Sequence, residues 1–213
     1  MQEKQTSWPI SGLLVVSAYI AAQMMADVAS LKIALVGPAG AALPIDGGTF
    51  IYPFTFTLRD LVHKLLGKAA ARTLIITAAA INLIMAALFA FVAWLPADPS
   101  WGLQAEFAAI LGPVWRIVLA SIVAEVVSEL LDTEMYELWV TRVTSKLRFA
   151  RYQWTRVLVS NAVSVPVDSV IFCWIAFWGL PAGVVWGIVL SNILVKGVVT
   201  LLSLPGIYLV RET

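Results

Sequence analysis

"TLIITAAAINLIMAALFAFVAWL", residues 73–95, runs for 23 positions without a charged side chain. A bilayer's hydrocarbon core takes about 20 apolar residues of α-helix to cross. The stretch is therefore a membrane span, and the remainder of the chain is read around it. Composition agrees. Of 213 residues, 61 % are hydrophobic and 13 % charged, whereas soluble domains sit near roughly 45–50 % and about 25 %. The first partner of this protein is thus the lipid bilayer. A formal net charge of +1 says nothing about partners, and no nucleic acid is expected as one. One cysteine, Cys173, excludes an internal disulfide, and one histidine, His63, excludes a His-cluster metal site. No cofactor or metal is expected.

Working outward from 73–95, five further segments have the length and apolar character of spans: residues 11–33, 49–66, 111–132, 156–178 and 183–206. The first is too long for a signal-peptide core and is read as a retained span. The predicted fold is an all-α membrane protein, a bundle of six transmembrane helices forming one domain over residues 1–213. The second span carries Pro53, Arg59, Asp60, His63 and Lys64, so it is expected to be broken, re-entrant or sheltered by its neighbours. The connections "VGPAGAALPIDGG" (36–48) and "LPADPSWGLQAEF" (95–107) are rich in Gly, Pro and Ala and read as turns with short interfacial pieces. Trp8, Trp94, Trp101, Trp115, Trp154 and Trp178 fall near span ends, where indole rings anchor at the interface.

Orientation follows from the basic residues. With six spans and a cytoplasmic N-terminus, the inner side receives Lys4, then Lys64, Lys68 and Arg72, then Arg142, Lys146, Arg148, Arg151 and Arg156, then Arg211, which is ten of the fourteen Lys and Arg. The outer connections carry Asp46, Asp98 and Glu106 instead. Positive residues gather on the cytoplasmic side of inner-membrane proteins, so both termini are predicted to be cytoplasmic in a multi-pass protein of the cell inner membrane.

Against this oily background, "IVAEVVSELLDTEMYELW" (122–139) is anomalous. Glu125, Glu129 and Asp132 stand at i, i+4 and i+7, one face of a helix. A charge at the bilayer centre costs about 2.5–3.5 kcal/mol on insertion scales, so that face is expected to avoid lipid. In the fifth span Asn161, Ser164 and Asp168 make a second polar stripe, with Pro166 inside it freeing a carbonyl near Ala162 or Val163. The words "EVVSELLDTEMYELW" from Glu125 and "NAVSVPVDSVIFCWI" from Asn161 align at an offset of 36 and match Ser128 to Ser164 and Asp132 to Asp168. Such a pattern fits the inverted repeats of transporters.

Cations are available to answer the acids: Lys196 near the middle of the sixth span, with Asn192 one turn earlier, and Arg59 in the second. Lys196 is expected to pair with Asp168 or Glu125. The bland reading is that such pairs only lock the bundle. Yet five intramembrane carboxylates, Asp60, Glu125, Glu129, Asp132 and Asp168, outnumber these two cations, which favours a polar cavity that binds a hydrogen-bonding solute. His63 reads as a helix-end polar residue, and Phe172 and Trp186 read as core, although either ring could stack on a planar ligand. No nucleophile elbow, metalloprotease helix, P-loop or dinucleotide fingerprint is present, so the chain is not read as an enzyme. A magnesium-dependent intramembrane phosphotransferase and a membrane scaffold are the alternatives of other classes.

Four segments together resemble the VUT (YhhQ-like) family of queuosine precursor transporters. They are "YPFTFTLRDLVHKLLG" with Pro53, Thr55, Asp60 and Gly67; "SELLDT" with Ser128, Glu129, Asp132 and Thr133; "NAVSVPVDSVIF" with Asn161, Ser164, Asp168 and Ser169; and Lys196 followed nine residues later by Pro205. The likeness covers most of residues 11–210. It departs at Lys64, where the family usually has Glu, at Ser203, where it usually has Asp, and at Asp27, where Asn is expected. The resemblance implies a transporter that takes up a purine-like queuosine precursor, a 7-deazaguanine base such as 7-cyano-7-deazaguanine. A substrate-binding membrane subunit for another vitamin-like molecule is the runner-up. A carboxylate accepts the paired N–H donors of a guanine-type edge, so Glu129 and Asp168 are the expected ligand contacts. Asn161 would read the carbonyl. Asp132, Glu125, Ser164, Lys196, Asn192 and Asp60 complete the expected site. Oligomeric state and driving force are left open by the sequence.

Overall fold

A computed structural model describes residues 10–38, 40–138 and 153–209 of the chain, with the side chains of Asp60, His63, Lys64, Glu129 and Asp132 among those outside the description. The protein is an all-α membrane protein with one small hairpin. Among the described residues seven helices follow in order: α1 (Ile10–Ala29), α2 (Tyr52–Leu66), α3 (Lys68–Trp94), α4 (Gln104–Leu111), α5 (Val114–Leu138), α6 (Gln153–Ala176) and α7 (Ala182–Leu209). Two strands, β1 (Ile33–Val36) and β2 (Leu43–Asp46), pair antiparallel between α1 and α2, with Ile33 opposite Asp46.

Among the described residues four stretches are long and apolar enough to cross a membrane: Ile10–Ala29, Ala69–Trp94, Gln104–Ser128 and Ala182–Leu202. In α6 the apolar part is the shorter Asn161–Ala176. The predicted second span is the 15-residue α2, about 22 Å long at 1.5 Å per residue, less than the roughly 30 Å of a hydrocarbon core. Pro53 stands in its first turn, where a missing N–H costs little. Its far end breaks at Gly67, whose φ of 87° is easy only for glycine, and α3 begins at the next residue.

The stretch 33–48 corrects the sequence reading in two ways. The first helix stops at Ala29 rather than continuing to residue 33, because Ile33–Val36 leave it to pair with Leu43–Asp46. Asp46, expected in an exposed outer connection, is 2 % exposed. The hairpin folds back on the bundle. Ser191 Oγ of α7 donates to Pro44 O at 2.7 Å, and a methyl group on Gly187 would lie 2.5 Å from Pro44 Cγ, so the absent side chain lets the proline ring rest on the helix.

Three apolar clusters hold the helices. Tyr19, Val62, Ala71, Leu74 and Ala78 join α1, α2 and α3. Ile117, Ala120, Cys173, Ala176, Phe177, Val185, Ile188 and Val189 join α5, α6 and α7. Met85, Ala86, Val114 and Val118 sew α3 to α5. Many of these residues are alanine, as expected where lipid offers no hydrophobic drive and close van der Waals approach must hold helices together. The outward faces are apolar as well: Ile76, Ile84, Leu88, Phe91 and Trp94 of α3 are all more than half exposed. Trp101, Trp115 and Trp178 are exposed too. In water so large an apolar surface would aggregate, whereas in a bilayer it is solvated.

Candidate functional site

Where the hairpin meets α1, α5, α6 and α7, the interior turns polar. α1 presents Asp27 and Ser30 at i and i+3, and α7 presents Asn192 and Lys196 at i and i+4, so each pair occupies one helix face. α5 contributes Ser121, α6 contributes Asp168 and Phe172, and the turn after β2 contributes Asp46, Gly48, Thr49 and Tyr52. These residues enclose a cavity of about 20 Å³, room for one water-sized body and far below the roughly 300–1,000 Å³ of typical small-molecule sites.

The turn after β2 is built by Asp46. Its carboxylate caps a short 3-10 helix, Gly47–Phe50, accepting from Thr49 N at 3.2 Å and from Thr49 Oγ1 at 2.6 Å, and it accepts from Ser30 Oγ at 2.8 Å. Thr49 Oγ1 also abuts the Asn192 side-chain amide, whose other end reaches Cys173 Sγ at 3.3 Å. Gly48 has no alternative here, because a methyl group on it would strike Ser30 Oγ and Ala26 O. One capped turn thereby links α1 to α7 across the cavity.

The expected ion pair is present: Lys196 Nζ binds Asp168 Oδ2, with both residues buried. Ser128 Oγ approaches Asp168 Oδ1 at 3.4 Å. Lys196 Nζ also lies 5.0 Å from the centre of the Tyr52 ring, a cation–π contact. A charge pair out of water survives only with good geometry and further polar contacts; here the ring supplies a cation–π contact, and Ser128 Oγ, which also donates to Glu125 O at 3.1 Å, a long hydrogen bond. Asp27 is different. It is 2 % exposed, its Oδ1 accepts from Ser121 Oγ at 3.0 Å, and its Oδ2 is buried with no hydrogen-bond partner among the described residues.

Of the residues expected from sequence, the structure brings Asp168, Lys196 and Asn192 together in this cavity. Asn161 lines a separate space of about 270 Å³ with Pro166, Ile193, Gly197 and Thr200, between α6 and α7; it stands seven residues from Asp168, about 10 Å along the helix. Ser164 is buried, and Glu125 is partly buried on α5 next to Ala124, one turn on from Ser121. The side chains of Glu129, Asp132 and Asp60 lie outside the described residues. Phe172, expected in the core, lines the cavity, and Trp186, also expected there, is instead 52 % exposed, its ring edge-on to Trp174 with centres 5.9 Å apart. Sequence reading missed Ser30, Asp46, Thr49, Tyr52 and Ser121. The signal for Asp46 is legible in retrospect: "DGGT" places a capping Asp three residues before a hydroxyl, as at helix starts.

The fold and site together define a multi-pass helical membrane protein with a buried polar chamber. The chain belongs to the family described as "Putative vitamin uptake transporter", whose profile matches residues 46–210. That is a family of transporters, not of enzymes. The chain is 28 % identical over 138 residues to the "Queuosine precursor transporter" of Escherichia coli (strain K12), covering 63 % of this chain and 56 % of that relative. It is 30 % identical over 170 residues to the "Probable queuosine precursor transporter" of Bacillus subtilis (strain 168), covering 78 % of this chain and 71 % of that relative. The match thus spans little more than half the length of the first relative. No solved structure matches the chain.

Proposed function

We propose that the protein takes up a purine-like queuosine precursor, a 7-deazaguanine base such as 7-cyano-7-deazaguanine, across the cell inner membrane. It does so through six spans with both termini cytoplasmic, and the base binds in the chamber between the hairpin and α1, α5, α6 and α7. The observation that carries this reading is the buried Asp168–Lys196 pair set in one chamber with Asn192 and the aromatic rings of Tyr52 and Phe172. A guanine-type edge offers two adjacent N–H donors to a carboxylate and a carbonyl to a cation or amide, and a planar bicycle needs an aromatic face. A purely aliphatic solute would leave these groups unsatisfied. The relatives' names point the same way.

The chamber at about 20 Å³ is a contracted state. A base is admitted only when Lys196 and Asp168 part, or when the hairpin and α7 separate, which is the kind of gating that alternating access requires. Glu129 and Asp132 follow Glu125 on one face of α5, and Asn161 and Ser164 precede Asp168 on α6; in this reading they line the path by which the base reaches the chamber. Asp60 on α2 serves the same path.

Uptake of radiolabelled 7-deazaguanine by cells lacking their own precursor uptake tests the proposal. Asp168→Asn and Glu129→Gln each keep volume while replacing an acceptor by a donor, and each is expected to weaken the base by about 1–3 kcal/mol. Val126→Leu, on an exposed position of α5, is the control that changes nothing. Variants that fold normally and take up the base like wild type would make the acids structural. The same protein reconstituted alone in liposomes separates a self-sufficient transporter from a binding subunit that needs partners.

A further inference from the structure

Asp27 is the group in the chamber that the ion pair does not explain. Each carboxylate oxygen there can be followed to its donors. Asp46 receives Ser30 on Oδ1 and Thr49 on both oxygens, and its role is complete once the turn is capped. Asp168 receives Lys196 and Ser128. Asp27 receives Ser121 on Oδ1, and Oδ2 is left with nothing among the described residues. Four buried side-chain atoms lack partners there, on Asp27, Asn82, Arg116 and Ser169, and Asp27 is the one of these residues that lines the chamber.

A structural role does not account for that second oxygen. Ser121 engages Oδ1 alone, and an amide oxygen would accept that bond as well, so this contact does not by itself call for an acid. The charge count points the same way: three aspartates, Asp27, Asp46 and Asp168, line the chamber with a single cation, Lys196. With the acids ionised, the wall carries a surplus of negative charge that the protein's own described residues do not neutralise.

We infer that Asp27 Oδ2 receives a protonated amine on the solute, so that the chamber selects an ammonium-bearing ligand over a neutral one of the same shape. This rests on the transport reading above and adds the charge of the ligand to it. Ser121 holds the carboxylate in place through Oδ1, and the ammonium supplies the hydrogen bond and the counter-charge that Oδ2 lacks. The Asp168–Lys196 pair, already neutral, is left to the ring.

The test uses two bases of one ring system that differ in charge, 7-aminomethyl-7-deazaguanine, protonated at neutral pH, and 7-cyano-7-deazaguanine, neutral. Binding to the purified full-length protein is measured by scintillation proximity. Wild type is expected to bind the aminomethyl base at least ten-fold tighter. Asp27→Asn should weaken that base ten-fold or more and leave the cyano base within two-fold, while Asp27→Glu should keep the preference. Equal binding of the two bases by wild type, or an equal loss of both in Asp27→Asn, overturns the inference. Should Asp27→Asn fail to fold, the wild-type preference alone decides. If wild type binds neither base, the base-transport reading fails, and the inference is then read from carbodiimide labelling of Asp27: protection by methylammonium but not by methanol upholds it, and equal labelling overturns it.

Discussion

Among the described residues α3 and α7 are the two longest helices, 27 and 28 residues, and each contains a stretch able to cross a membrane. Their interiors differ. Among the described residues α3 buries one polar side chain, Asn82, among alanines and large apolar residues, whereas α7 buries Ser191, Asn192 and Lys196. Each buried polar group of α7 has a partner on another element: Ser191 on the hairpin, Asn192 on α6 and the capped turn, Lys196 on α6. Asn82 Oδ1 has none. Hydropathy therefore marks both as spans without separating them. What separates a membrane-filling helix from a chamber-forming one is where its polar atoms end, and that is a property of the neighbours.

If α7 is the chamber helix, its charge is the most expensive to remove. Lys196→Met leaves Asp168 buried and unpaired and is expected to cost about 3–5 kcal/mol, while Lys196→Met with Asp168→Leu should recover much of that loss. Thermal unfolding in detergent reads both, and an equal loss in the single and double variants would break the contrast with α3. Next in size is Gly187→Ala. The added methyl meets the Pro44 ring at 2.5 Å, an overpacking expected to cost about 1–3 kcal/mol and to loosen the hairpin, which limited proteolysis between residues 36 and 43 would report. On α3 the corresponding change should be nearly silent. Asn82→Leu removes an unmet acceptor and is expected to leave the melting temperature equal or higher, within about 1 kcal/mol; a large loss would mean that α3 also carries a polar network.

The smallest effect lies outside both helices. Ser100 donates to Asp98 Oδ1 from its hydroxyl at 2.5 Å and its backbone N–H at 2.8 Å, and these bonds hold the carboxyl below the usual aspartate range. A depressed folded value stabilises the turn above the unfolded pKa of about 3.9 and loses that contribution as pH falls through the folded value. Asp98→Asn should therefore differ from wild type slightly at pH 7, and the difference should shrink as pH falls through the folded value. A titration of the melting temperature of both proteins checks the sign.

The membrane class and the course of α3 were legible because about 20 uncharged residues in a row leave few alternatives, and α6 and α7 were legible because one mid-span charge, Asp168 or Lys196, does not offset their apolar length. That Lys196 pairs with an acid was legible for a related reason, since a mid-span cation must find an anion, but the choice of Asp168 over Glu125 was not. The hairpin was not. Residues 24–36 continue the apolar character of α1, so composition alone prolongs the helix to residue 33, and strands of four residues are too short for alternation to register. With the hairpin unseen, Asp46 read as a loop acid and Thr49 and Tyr52 as the start of a span. Ser30 and Ser121 carry no pattern in sequence at all. They matter only because α1 and α5 place them opposite Asp46 and Asp27.

The wall formed by the hairpin and α7 has a consequence for how the protein is made. Thr49 meets Asn192 from 143 positions away, and Pro44 receives Ser191 from 147. During synthesis the first helices enter the bilayer long before α7 leaves the ribosome, and Asp168 waits for Lys196, 28 residues behind it. Until then the nascent protein holds an acid in lipid without its cation and a hairpin without its seat. Such an intermediate is open to membrane quality control, and domains completed by their latest segment are exposed to it longest. In a pulse-chase, chains ending at residue 181 should be cleared faster than chains ending at residue 209. Equal half-lives would mean that the earlier helices shelter these groups on their own.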